Sequence, residues 1–230
     1  MQASEPLIDT TTLQRVGGQM GSNPAGIYQA SHGQRYYVKT LESAAHAHNE
    51  WLAARLYQLA GAPTLRYVRA LAPEQIATEW AQLDKRHVAH LSEPERKQAQ
   101  HWLGVHAWTA NWDAAGFAGD NQGVCQGRVL TLDVGGALEY RAQGDPKGSA
   151  FGTRVNELDA LRHDPGNPHA LKLFGDMRGP DIARAIEVVT RIPAARIRQV
   201  LIDGGGSPAL AEKMIARQTD MARQLAAAAS

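Results

Sequence analysis

Residues 111–133 read N-W-D-A-A-G-F-A-G-D-N-Q-G-V-C-Q-G-R-V-L-T-L-D and are followed by Val134, Gly135 and Gly136. A polar loop carrying Asp113, Asp120 and Asn121 runs into a small hairpin, and the second strand of that hairpin delivers Asp133 to a Gly-Gly turn. Oxygen ligands gathered at strand ends suit a magnesium ion that holds phosphates. The same chemistry requires two parts upstream, a cation for the phosphates and a loop whose N–H groups can face them.

Both have candidates. Residues 13–40 have the pattern of a β-hairpin plus one strand, with Gly17, Gly18, Gly21 and Gly26 at the first turn and Ser31-His32-Gly33 at the second. The first turn, with Gly18, Gly21, Ser22 and Asn23, is expected to cradle phosphates; the alternative is a plain hairpin turn. The strand R-Y-Y-V-K-T ends near Lys39. A helix follows, with Ser43 as N-cap, Leu52, Leu56 and Leu59 on one stripe, and Gly61 then Pro63 as its stop. Glu50 falls in its second turn. A strand lysine paired with a helix glutamate is the arrangement that fixes a phosphate-binding ammonium. Strands over 64–70 and 75–80 complete a five-stranded sheet with one helix. The sequence turns polar and irregular after Trp80, which sets a lobe boundary where Glu79 and Ala81 would meet a nucleotide base. The expected organisation is a flexible leader or frayed terminus over 1–11, an N-lobe over 12–82 and a C-lobe over 83–230.

Ser92-Glu93-Pro94-Glu95 opens a helix with a capping box and proline in its first turn. Its apolar face, Ala99, Leu103, Ala107 and Ala110, runs directly into Asn111, so one core helix is expected to position the 111–133 loop. Residues 134–155 are glycine-rich, contain Arg141 and Lys147, and are expected to form a mobile surface segment beside the site. From Asn156 onward the chain reads as helical, with helices over 180–190, 193–202 and 208–225, each with proline in its first turn.

Composition excludes several function classes. The chain has 230 residues, 43% hydrophobic and 20% charged, with a formal net charge of +1, so no global field recommends nucleic acid or an anionic membrane. No apolar run approaches the roughly 18 residues of a membrane span, and the first residues lack the pattern of a cleavable signal peptide. Cys125 is the only cysteine, which excludes an intrachain disulfide and is compatible with a cytoplasmic location. The histidine pairs His46/His48, His87/His90 and His101/His106 lack the spacing of a zinc site and are assigned to core or surface roles. Trp102, Trp108 and Trp112 read as core packing rather than a base-stacking platform. Arg178, Arg184, Arg191, Arg196 and Arg198 read as solvated helix faces, with an acidic-partner site as the sharper alternative.

Taken in order, the glycine hairpin, Lys39, Glu50, Asp113, Asn121 and Asp133-x-Gly resemble an atypical, minimal member of the protein-kinase-like superfamily, similar to HipA-type kinases and phosphatidylinositol 3- and 4-kinases. The resemblance covers about 13–140 and rests on Asn111-Trp112-Asp113, Asn121 and Leu132-Asp133-Val134-Gly135. It implies a two-lobed α+β fold and phosphoryl transfer from ATP with Mg2+, in which Asp113 serves as base or orienter, Asn121 and Asp133 bind metal, Lys39 binds phosphate and Glu50 orients Lys39. A protein hydroxyl is the expected acceptor. A lipid or small-molecule acceptor, AMP transfer and a nucleotide-binding scaffold without catalysis are the alternatives. A bacterial effector delivered to a host cell would fit the small size. The H-R-D, D-F-G and A-P-E motifs of conventional protein kinases are absent. Asn121 lies eight residues beyond Asp113, a longer spacing than those families use, which leaves Asp120 as an alternative ligand.

Overall fold

The computed structural model describes residues 7–228. Five strands, β1 (Gln14–Gly17), β2 (Ala25–Gln29), β3 (Arg35–Thr40), β4 (Tyr67–Arg69) and β5 (Gln75–Glu79), form an antiparallel sheet in the order β1-β2-β3-β5-β4. Lys39 is near the end of β3, opposite Ala25 on one side and Ile76 on the other. Helix α1 (Ala44–Ala60) begins at Ser43, whose hydroxyl accepts from the His46 N–H at 3.1 Å. It ends at Gly61 in the left-handed region, φ 75°, as the Gly-then-Pro stop requires. The expected five strands and single helix are therefore present.

Part of the expected leader, 1–6, lies outside the described residues. The remainder is tied down. The Ile8 N–H donates to the Arg69 carbonyl and its own carbonyl accepts from the Leu71 N–H, both at 2.9 Å, extending the sheet edge beyond β4. Thr10 adds a side-chain hydrogen bond to Gln75 at 2.6 Å.

The second half is mainly helical, with α2 (Glu93–His101), α3 (Leu103–Trp108), α4 (Glu157–His163), α5 (Pro168–Phe174), α6 (Gly179–Thr190), α7 (Ala194–Asp203) and α8 (Pro208–Ala228), interrupted by the hairpin β6 (Gln122–Cys125) and β7 (Arg128–Thr131). The capping box at Ser92 forms, the Ser92 N–H donating to the Glu95 carboxylate at 2.6 Å. The single core helix expected from Ser92 to Ala110 is instead two. The chain breaks at Trp102 (φ −95°, ψ 4°), and α3 then runs so close to α6 that a Cβ at Gly104 would lie 2.0 Å from the Ala185 carbonyl oxygen. Apolar periodicity continues through the break, because Ala99 of α2 and Leu103 and Ala107 of α3 enter one core, with α3 buried over its whole length.

That core spans the helical half and α1, with Leu56, Tyr57, Leu103, Trp108, Leu138, Phe174 and Leu201 fully buried. Val38, Val68 and Ala77 form a separate small cluster in the sheet. Trp108 is a core residue as expected, and its indole N–H donates to the Met214 carbonyl at 2.8 Å. Arg184, Arg191 and Arg198 pair with Asp181, Glu187 and Glu212 on the surface. The expectation of a mobile segment over 134–155 is corrected: Val134, Ala137, Leu138, Lys147, Phe151 and Val155 are all buried. Glycine content suggested looseness, but here long-range side-chain contacts replace regular backbone pairing.

Candidate active site

A cleft of about 430 Å³ opens between the sheet and the helical half. Its upper wall is the β1–β2 turn from Met20 to Asn23 together with Tyr37 and Lys39; its floor carries Asp113, Asp120, Asn121 and Asp133; Glu79, Trp80 and Ala81 close one end. Every candidate residue except Glu50 and Gly18 therefore lines one cavity. Glu50 sits behind Lys39, buried on α1. Gly18 precedes the lining part of the turn, and a Cβ at Gly18 or Gly21 would meet nothing within 4 Å, so the protein itself does not require glycine at either position. The turn is tied to the sheet by the Met20 N–H, which donates to the Tyr37 hydroxyl at 3.0 Å.

Lys39 is the centre of the site. Its Nζ donates to Glu50 Oε1 at 2.5 Å and to Asp133 Oδ2 at 3.0 Å. Burial alone would favour the neutral amine, but the two carboxylates outweigh it and hold the Lys39 pKa above the usual lysine value. The same pairing acts on Asp133: against the burial that would raise it, Lys39 and the Gly135 N–H, which donates to Oδ1 at 2.7 Å, keep its pKa low. Gly135 leaves room for this arrangement, since a Cβ there would come within 2.9 Å of Glu50 Oε2.

Asp113 and Asn121 meet across the longer loop. The Asn121 amide Nδ2 donates to the Asp113 carbonyl at 2.8 Å and to Asp113 Oδ2 at 3.0 Å. A side-chain amide that donates both bonds through nitrogen turns its oxygen the other way, where it can act as a ligand. Burial, with Asp133 and Asp120 adding to it, raises the Asp113 pKa to about 6. The eight-residue spacing is accommodated by a tight knuckle at Gly116 (φ 84°) and Gly119 (φ 81°), where a Cβ would approach Asp120 Oδ1 to 2.5 Å and His87 Cε1 to 2.7 Å. Asp120 is exposed beside it. Carboxylate and amide oxygens from Asp133 and Asn121 make a hard donor set of the kind Mg2+ accepts with phosphates completing its shell. Among the described residues no cluster of three or more His, Cys, Asp or Glu forms a self-sufficient metal site.

Comparison with known proteins was informative only at the level of structure. No family model and no curated protein matches the chain. Among solved structures, the Helicobacter pylori proinflammatory kinase CtkA superposes with a TM-score of 0.61 at 13% identity, covering 97% of each chain. The fold is kinase-like. An aminoglycoside phosphotransferase from Alicyclobacillus acidocaldarius (14% identity, 98% of each chain, TM-score 0.37) and the macrolide 2'-phosphotransferase MphH from Brachybacterium faecium (13%, 91% of this chain and 93% of that one, TM-score 0.38) also match. The two-lobed α+β architecture expected from the motif order is thus the observed one. Among the described residues, no helix is long and apolar enough to cross a membrane.

Several residues that build this cleft were not singled out by sequence. Asn49, beside Glu50, clamps the turn after Asp133: its Nδ2 donates to the Ala137 carbonyl at 2.9 Å and its Oδ1 accepts from the Glu139 N–H at 3.0 Å. The Tyr67 hydroxyl accepts from the Val134 N–H at 3.2 Å. Asn111, start of the N-W-D triplet, donates to the Tyr57 hydroxyl at 3.0 Å, and that hydroxyl meets His106 Nδ1 at 2.7 Å. No local pattern marks any of these, because each partner comes from a distant part of the chain.

Proposed function

We propose that this protein is an ATP- and Mg2+-dependent phosphotransferase that phosphorylates a protein hydroxyl. The observation that carries the reading is the convergence on one cleft of a carboxylate-held lysine, Lys39, and a facing Asp113–Asn121 pair, with Asp133 between them. Phosphoryl transfer depends mainly on positioning and on charge stabilisation, and these groups supply both. Lys39 holds the nucleotide phosphates, with Glu50 fixing its direction. Gly21, Ser22 and Asn23 cover the phosphates from above, with Gly18 at the start of their turn, and the backbone from Glu79 to Ala81 receives the base. Asp133 and the Asn121 side-chain oxygen hold the metal, which, when bound, neutralises charge on the phosphates. Asp113 orients the acceptor hydroxyl and takes its proton; a pKa near 6 leaves it ionised yet basic enough to work near neutrality.

A macromolecular acceptor is supported by the rim of the cleft. Phe117, four residues after Asp113, is 94% exposed on the glycine knuckle and lines the cleft. An apolar ring held in water at the mouth of a catalytic cleft is a contact that a polypeptide can cover. The test is incubation with γ-labelled ATP, and in parallel with α-labelled ATP, in the presence of Mg2+ and a protein mixture. Label should enter protein and be lost in Asp113→Asn and Asp133→Ala. Nucleotide binding without transfer to any acceptor would sink the enzymatic reading and favour a scaffold; label arriving only from the α-phosphate would replace phosphorylation by AMP transfer.

A further inference from the structure

The strap over 139–151 passes beneath the catalytic loop and inserts one side chain there. Lys147 is 4% exposed, and its ammonium donates to three backbone carbonyls: Ala110 at 2.8 Å, Gly136 at 2.8 Å and Leu138 at 2.9 Å. The first acceptor immediately precedes Asn111-Trp112-Asp113. The other two belong to the turn that follows Asp133. Ala110 (φ 51°) and Leu138 (φ 57°) both adopt the left-handed region that side chains other than glycine rarely enter, so the backbone at two of the three anchors is held in a costly conformation. The Trp112 ring lies 4.9 Å from the same ammonium, and its indole N–H is fixed to Glu157 at 3.1 Å. A direct strand of backbone joins the two loops as well, the Leu138 N–H donating to the Thr109 carbonyl at 2.7 Å.

We propose that Lys147 is a positioning residue for the transfer reaction: by tying the backbone before Asp113 to the backbone after Asp133, it sets the distance between the group that orients the acceptor and the group that holds the metal. An ammonium has three donors and spends all of them here, one on the first loop and two on the second. Near-attack geometry is lost over displacements of about an ångström, so a tie of this kind acts on turnover rather than on nucleotide binding. The nucleotide contacts assigned above lie on Lys39, the β1–β2 turn and the segment after β5, and Lys147 touches none of them. Trp112 acquires a role at the same time: its ring covers the cation from one side while Arg141 packs at 5.1 Å from that ring.

The inference rests on the phosphotransfer reading, and the experiment separates the two. Lys147→Met keeps the unbranched stem, one atom shorter, and removes the donors. Expected are a folded chain, a KM for ATP within about two-fold of wild type and a kcat reduced at least about ten-fold, the scale of a misplaced reacting group. Hydrogen exchange should quicken at least about ten-fold at the Trp112 and Leu138 amides, with the amides of α8 unchanged, an outcome readable without any activity. A purely stabilising lysine would lower Tm, leave kcat of the folded protein within about two-fold and raise exchange throughout the helical half; that result overturns the proposal. If Lys147→Met does not fold, Lys147→Arg takes its place with the same readouts, since a planar fork keeps the charge but cannot aim three donors at converging carbonyls. Restoration comes from Lys147→Cys in a Cys125→Ser background, alkylated with 2-bromoethylamine while unfolded and then refolded, which returns an ammonium at nearly the original length. An inactive wild type defeats the phosphotransfer reading and leaves the exchange experiment to decide the tie.

Discussion

Lys39 and Lys147 are both buried, 9% and 4% exposed, and both bind the Asp133 turn, Lys39 at the Asp133 carboxylate and Lys147 at the Gly136 and Leu138 carbonyls. Lys39 is held by two full charges, Glu50 and Asp133, which keep its ammonium firmly protonated. Lys147 is held by three carbonyl dipoles, and the burial that lowers its pKa is opposed by Glu157. The two environments suit different tasks. A lysine between carboxylates presents charge to an incoming anion at a cleft wall, whereas a lysine that spends its donors on backbone fixes the shape of that wall.

The contrast can be broken first at Lys39. Lys39→Met should lower the transfer rate by about 10³-fold, the scale of removing a preorganised charge partner of the transition state. It should also cost about 3 kcal/mol of stability, because Glu50 is left buried without its cation. Lys39→Met with Glu50→Leu should regain most of that stability in denaturant titrations while remaining inactive, since a buried ion pair and an apolar pair of similar volume are nearly equivalent for folding. A double variant no more stable than the single one would mean that the pair is structural in its own right.

A third buried group sharpens the comparison by remaining neutral. His106 is fully buried against the Tyr57 hydroxyl, and burial lowers its pKa to about 3. Above about pH 6.5 it is neutral in both folded and unfolded chains and imposes no pH dependence. As pH falls below that value the unfolded chain takes up a proton that the folded one refuses, so stability declines by about 1.4 kcal/mol per pH unit until the folded pKa near 3 is reached. His106→Gln, which retains a polar group for Tyr57, should flatten this acid limb in Tm measurements between pH 6 and 4. An unchanged slope would assign acid lability to other groups.

The smallest effect is expected outside the buried sites. Phe117→Ala should raise the acceptor KM about three- to ten-fold, the value of one exposed aromatic contact, and leave the KM for ATP and the melting temperature unaltered. Equal effects on both KM values would place the ring in the nucleotide subsite instead.

Legibility of these features followed the range of the interactions behind them. Strand alternation ending at Lys39, the Ser43 cap, Glu50 one turn further and the Gly-Gly after Asp133 are each encoded within a few residues, and their order predicted the two-lobed arrangement that the structure has. Asp113 and Asn121 line the same cleft and meet each other, their eight-residue spacing closed by the Gly116–Gly119 knuckle, which no local pattern marks. The break at Trp102 was hidden because its apolar pattern is uninterrupted. The burial of residues 134–155 was not legible because glycine density marks conformational freedom and carries no information about partners as distant as Asn49 and Ala110.

By itself, then, the sequence determined the inventory and order of the chemical groups: a glycine turn, a strand lysine, a helix glutamate, and three oxygen-bearing side chains near strand ends. Tertiary structure alone decided which of them touch. Lys39 reaches Asp133 across 94 positions of chain, and Lys147 reaches Ala110 across 37. Local backbone preferences are set by neighbouring residues and can be read from them, but the satisfaction of a buried charge depends on whatever folding brings within 3 Å, and no window of sequence contains that information.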